Sequence, residues 1–154
     1  MISQRQHGTV ISSTQAELFT ECEYRALGAP PRPNEHGVFE PDEVLACSAT
    51  RKQYDVGGAV MRRIPVAEIR LVHIPEGGWL FAYSYSLSEC GSGFAPSLKW
   101  RDTLRPTREE AIDAARASMA KSLAGQGDSS KCKVGRVVTA WLASGCTQAP
   151  GDPK

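Results

Sequence analysis

Nine consecutive residues constrain the fold of this chain more than any other stretch. Over residues 79–87 the odd positions are Trp79, Phe81, Tyr83, Tyr85 and Leu87, whereas Ser84 and Ser86, and Ser88 just beyond, take even ones. Strand side chains point alternately to opposite sheet faces, so this pattern predicts a β-strand with its rings on one side. Such a row of rings needs a second layer to cover it.

Helices further along can provide that layer. Thr107-Arg108-Glu109-Glu110, directly after Pro106, forms a capping box. In such a box the Thr oxygen takes an exposed helix N–H and the Glu returns the bond. Ile112, Ala115, Met119 and Leu123 then make an apolar stripe, and Gly125 supplies a stop. Val134, Val137, Val138, Trp141 and Leu142 follow the same helical spacing, predicting a second helix that ends at Gly145. Two further strands are expected. One is the β-branched run at 69–74, closed by Pro75 and the following glycines; the other, at 97–101, places Leu98 and Trp100 on one face. The expected class is α+β: a three-stranded antiparallel sheet with packed helices, a β-β-β-α core plus a C-terminal helix, preceded by an N-terminal arm.

Residues 1–12 are polar. Thr14-Gln15-Ala16-Glu17 reads as a first capping box, with Leu18, Phe19, Cys22 and Ala26 at helical spacing up to Leu27. Gly28 and the prolines after it end that helix. Residues 28–43 read as an extended acidic linker, 44–58 carry no clear period, and Gly57-Gly58 punctuates their end. The expected organisation is an arm and linker over 1–58, a core domain over 59–146, and a frayed tail at 147–154. A length of 154 residues with 41% apolar content suits one such domain.

Net charge is +1, which excludes an overall polyelectrolyte attraction to nucleic acid. Its distribution is uneven. Between positions 17 and 43 seven acids face two bases, whereas between 99 and 136 nine bases face five acids. The two regions can attract each other or face different partners. Five scattered cysteines without a C-x-x-C pair, and an N-terminus without the apolar stretch of a signal peptide, point to reduced thiols and a cytoplasmic protein. No apolar run approaches the ~18–20 residues that span a bilayer, so no membrane partner is expected.

Nothing in the chain has the spacing of a catalytic, metal or cofactor site: phosphate-binding glycine loops, His-Glu-x-x-His and Gly-x-Ser-x-Gly are all lacking, and His7, His36 and His73 lie far apart. The remaining enzymatic possibility is Cys90, in a glycine-flanked loop, activated by His73. A non-enzymatic protein without cofactor or metal is the expectation. Three binding features stand out. Arg101, Arg105 and Arg108 cluster at a predicted helix N-terminus, a place that favours anions. Glu40, Asp42 and Glu43 form the acidic counterpart. The aromatic row can stack single-stranded bases if exposed, or pack under the helices.

Gln15-Ala16-Glu17-Leu18-Phe19 resembles the pentapeptide by which proteins bind the bacterial sliding clamp: Gln15, Leu18 and Phe19 match, and Ala16 departs from the usual Leu. That resemblance implies a replication or DNA-modification accessory tethered to the clamp. The β-β-β-α order is similar in shape to the double-stranded-RNA-binding domain and the plant three-stranded DNA-binding domain, without the basic motif of the former, and implies a direct nucleic-acid-binding module. From 64 to 115 the chain looks like small proteins encoded by phages and plasmids. The residues concerned are Ile64-Pro65-Val66-Ala67-Glu68-Ile69-Arg70-Leu71, Gly78-Trp79, Gly91-Ser92-Gly93 and Thr107-Arg108-Glu109-Glu110-Ala111-Ile112-Asp113-Ala114-Ala115. This resemblance implies an anti-CRISPR-like inhibitor that occupies a bacterial protein or ribonucleoprotein complex, Cas proteins among the candidates. Arg101, Arg105 and Arg108, or Glu40, Asp42 and Glu43, are then the expected contacts.

Overall fold

A computed structural model describes residues 30–75, 77–99 and 101–147. The expected helix at 14–27, the clamp-type residues Gln15, Leu18 and Phe19, Trp100 and the tail beyond Thr147 lie outside the described residues.

The class is α+β, with an antiparallel sheet and two helices. Strands β1 (Glu43–Asp55), β2 (Gly58–Ile74), β3 (Gly78–Ser86) and β4 (Gly91–Gly93) lie side by side in sequence order. The short β5 (Leu104–Arg105) joins β3 at its start, at Trp79 and Leu80, whereas β4 joins β3 at its end, at 84–86. Helix α1 (Arg108–Ala124) and helix α2 (Lys133–Ala143) cover one face. Thr107 caps α1, its Oγ1 accepting the Glu110 N–H at 3.2 Å, as the capping box predicts.

The ring-bearing strand behaves as its alternation predicts. Phe81, Tyr83, Tyr85 and Leu87 are buried with Ile69 and Leu71 of β2 under Ala111, Ala115, Met119 and Leu123 of α1 and Val138, Trp141 and Leu142 of α2. The Tyr85 hydroxyl shares a hydrogen bond with Ser122 Oγ at 2.8 Å and accepts one from Gln126 Nε2 at 3.1 Å.

Three expectations are corrected. The sheet has five strands rather than three, because residues 44–55 are a strand and pair with β2 along their whole length. Val56-Gly57 is therefore a hairpin turn closed by the Asp55–Gly58 pair, and the boundary expected at 58/59 falls inside that hairpin. The third strand lies at 91–93 instead of 97–101; loop and turn at 97–99 and a 3-10 turn from Arg101 occupy the expected span, and Leu98 is exposed. Strand β4 approaches β3 so closely that a Cβ on Gly93 would lie 2.5 Å from the Tyr83 carbonyl oxygen, which is why a Gly-Ser-Gly run with no strand propensity forms it.

The supposed linker, finally, packs on the fold over residues 30–42. Asn34 Oδ1 accepts the N–H groups of His36 and Val38, each at 3.0 Å, and folds the segment back on itself in an Asx turn. Phe39, 5% exposed, then covers Val72 and Leu80 on the sheet face away from the helices, and its N–H donates to the Pro96 carbonyl at 2.9 Å. The even positions of the ring-bearing strand are thus also buried at Leu80 and Ala82.

Candidate functional site

The charged residues singled out in the sequence are partly spent on one another. Glu43 opens β1 and Arg108 opens α1, and the fold sets them face to face. Arg108 donates from Nε to Glu43 Oε2 at 2.8 Å and from Nη2 to Oε1, a two-pronged pair. That hydrogen bonding holds the Glu43 carboxyl below its ordinary range, against the opposing effect of partial burial. Arg105 folds back, donating to the carbonyls of Asp102 at 2.6 Å and Leu104 at 2.8 Å, with its guanidinium 5.5 Å from the Phe81 ring centroid. Arg101 sits in the 3-10 turn Arg101–Thr103 just before β5. Asp42 Oδ2 accepts the His73 N–H at 2.7 Å, and Glu40 is exposed. So one acid and one base of the two clusters meet in the fold, and Arg105 and Asp42 hold backbone.

His73 and Cys90 sit at opposite ends of β3. His73 faces Trp79, with ring centroids 4.9 Å apart, and Cys90 follows the far end of the strand, where Ser86 pairs with Gly91. Seven strand residues separate those positions, on the order of 20 Å, so His73 is no base for that thiol. Among the described residues no group of three or more His, Cys, Asp or Glu is placed to hold a metal ion, and no helix is long and apolar enough to cross a membrane.

The surface that sequence reading missed is the outer half of the β1–β2 hairpin. Strand β3 pairs with β2 only over residues 67–74, so residues 51–63 leave the sheet as a two-stranded ribbon. A register shift marks the departure: Cys47 faces Ala67 and Ser48 faces Pro65, leaving Val66 as the extra residue of a bulge. Bulges bend and twist a ribbon, and proline is tolerated beside one. The bulge also explains why Val66 and Ala67 are both buried, against strict alternation.

Beyond it, Arg51 faces Arg62 and Gln53 faces Val60 on one side of the ribbon. Thr50 faces Arg63, Lys52 faces Met61 and Tyr54 faces Ala59 on the other. Arg51 reaches back to the end of β3, donating to the Leu87 carbonyl at 3.2 Å. Nearer the tip, Lys52 Nζ lies 5.4 Å from the Tyr54 ring centroid, and Arg62 pairs with Asp55 at 3.1 Å. The tip exposes apolar bulk: Tyr54 is 78% and Met61 61% exposed, and Val56 is fully so. The signal that could have revealed this is the two-residue connection Val56-Gly57, closed by Gly58 between two pairable runs. Arg62, Arg63 and Pro65 break the apolar alternation that usually accompanies such a turn.

A cleft of about 620 Å³ between α1 and α2 is lined mainly by Ala117, Ala120, Leu123 and Leu142, with Arg116 closing one side through two hydrogen bonds to the Leu142 carbonyl. It gathers no set of groups suited to acid–base or nucleophilic chemistry. Comparison with protein-family models, with curated proteins and with solved structures found no match to this chain.

Proposed function

We propose that the chain is a non-enzymatic binding protein that occupies a nucleic-acid-processing or defence complex of a bacterial host, in the manner of an inhibitor carried by a mobile element, and that the β1–β2 ribbon makes the contact. The observation that carries the reading is the ribbon itself. It projects past its neighbouring strand, exposes Tyr54, Val56 and Met61, and carries four bases against one acid over residues 51–63. Exposed apolar groups rimmed by charge are the usual make-up of a contact surface. The phage and plasmid resemblance over 64–115 supports the mobile-element part. The Glu43–Arg108 pair argues for moving the contact away from the two charge clusters and onto the ribbon.

The test is a plasmid-transformation assay in bacteria with active CRISPR interference, run over a panel of system types. Wild-type chain restores transformation in at least one of them. The variant Tyr54→Ser, Val56→Ser, Met61→Ser, with unchanged thermal unfolding, does not. Equal restoration by both moves the contact off the ribbon, and no restoration in any system overturns the inhibitor reading.

A further inference from the structure

We infer that the ribbon's occupant is a nucleic-acid duplex, with the basic side chains along the ribbon against backbone phosphates and the tip side chains against bases; this rests on the ribbon being the contact surface. Charge is the first argument. Residues 51–63 carry a net +3, whereas the other described residues carry eleven bases against eleven acids, so the ribbon is a positive arm on a body of no net charge. A polyanion is drawn to the arm rather than to the body.

Geometry is the second. From the Ala49–Ile64 pair to the turn at Val56 and Gly57 the ribbon extends seven residues, about 23 Å. Two strands about 4.8 Å apart with their side chains fit the major groove of a duplex, about 12 Å wide. Bases stand on both faces of the ribbon, Arg51 and Arg62 on one and Lys52 and Arg63 on the other. A groove has phosphates on both walls and satisfies both faces together. A flat anionic lipid surface meets the tip and leaves the bases nearer the body unused.

The third argument is the self-repulsion built into the arm. Arg51 lies directly opposite Arg62, and like charges opposite each other weaken a strand pair. Asp55 beside Arg62 and the Leu87 carbonyl beside Arg51 answer part of that repulsion within the chain, and phosphates on the groove walls answer more of it. At the tip, the exposed Tyr54, Val56 and Met61 offer apolar contact to base edges, such as the thymine methyl groups that line the major groove.

The experiment is fluorescence anisotropy of a labelled mixed-sequence DNA duplex titrated with the full chain across a range of KCl. Arg51 is turned back onto the end of β3, so three phosphate contacts, from Lys52, Arg62 and Arg63, give a log–log slope of affinity on salt of about −3. Lys52→Gln with Arg62→Gln brings the slope to about −1, whereas the charge-keeping pair Lys52→Arg and Arg62→Lys leaves it near −3. Tyr54→Ser with Met61→Ser weakens binding about tenfold at unchanged slope. Thermal unfolding of each variant, expected to match wild type, separates lost contact from lost fold. A salt-independent affinity, a slope that ignores the glutamine variant, or capture by anionic vesicles without capture by duplex overturns the inference. If duplex binding fails while the ribbon variant still loses activity in the transformation assay, the occupant is a protein and the proposed function stands. If both assays fail, both readings fall.

Discussion

Glu43 and Arg108 show how one contact can redirect the reading of many charges. Because Arg108 holds the Glu43 carboxyl below its ordinary range, the unfolded chain binds that proton more tightly than the folded one. The stabilisation is therefore whole above the ordinary glutamate value, about 4.3, and is lost as pH falls from there through the lower folded value. Both side chains are about one-third exposed, 36% and 32%, so solvent screens the pair, and Glu43→Gln should cost under about 1 kcal/mol at neutral pH. Urea midpoints of the two proteins should differ at pH 7 and draw together as pH falls below the ordinary glutamate value; a gap that stays constant in acid would mean that the pair is not the source. The cysteines make a second prediction at this scale. The Gly135 N–H, donating to Cys132 Sγ at 3.3 Å, pulls that thiol's pKa down, whereas burial raises Cys47 and pushes Cys146 up to about 11. Iodoacetamide at mildly alkaline pH should alkylate Cys132 well before Cys47 and Cys146, as peptide mass spectrometry would report. Labelling in the reverse order would contradict this arrangement.

At the level of elements, the helices were legible and the segment before the sheet was not. Thr107 sits where its capping box says it should, and Thr107→Ala should cost about 1 kcal/mol in chemical unfolding. A loss near zero would mean that the cap oxygen is replaced by water at no cost. Residues 30–42 read as a linker because acids, prolines and a glycine dominate them, and local rules give such a stretch no reason to be ordered. One ring changes that. Phe39 over Val72 and Leu80 buries what three elements would otherwise leave wet. Phe39→Ala should destabilise by about 3 kcal/mol, the usual cost of deleting a buried ring. In a free linker the same substitution would fall within about 0.5 kcal/mol of neutral, so one denaturation curve distinguishes the two.

Taken as a whole, the molecule is a helix-covered sheet with an arm. The arm contributes little to the core: the buried cluster reaches Ala49 and partly buried Ile64, and nothing from 52 to 61 belongs to it. An isolated two-stranded ribbon is marginal in water, so this one depends on its roots, the bulge at Val66 and the hydrogen bonds of Arg51 to the end of β3. Replacing residues 52–61 by Asn-Gly keeps Arg51 opposite Arg62, in the same pairing phase as Asp55 and Gly58, and closes the hairpin with a favoured turn. The shortened protein should melt within about 3 °C of wild type while losing ribbon-dependent binding. A large drop in melting temperature would show the arm to be structural.

Local periodicity determined the ring-bearing strand, both helices of the core and the α+β class, because a strand's period of two and a helix's 3.6 are set by covalent geometry within a few residues. Serine at alternate positions of 79–87 was enough to place Phe81, Tyr83 and Tyr85 on one face. Whether those rings were covered, whether Glu43 met Arg108, and whether Phe39 packed depended on positions up to 65 residues away, which no local pattern encodes. The ribbon is the clearest case. Its residues are ordinary strand and turn residues, and what makes them a surface is that β1 and β2 run on after β3 has ended. That difference in length is a property of how three strands pair, so only the tertiary structure decided it.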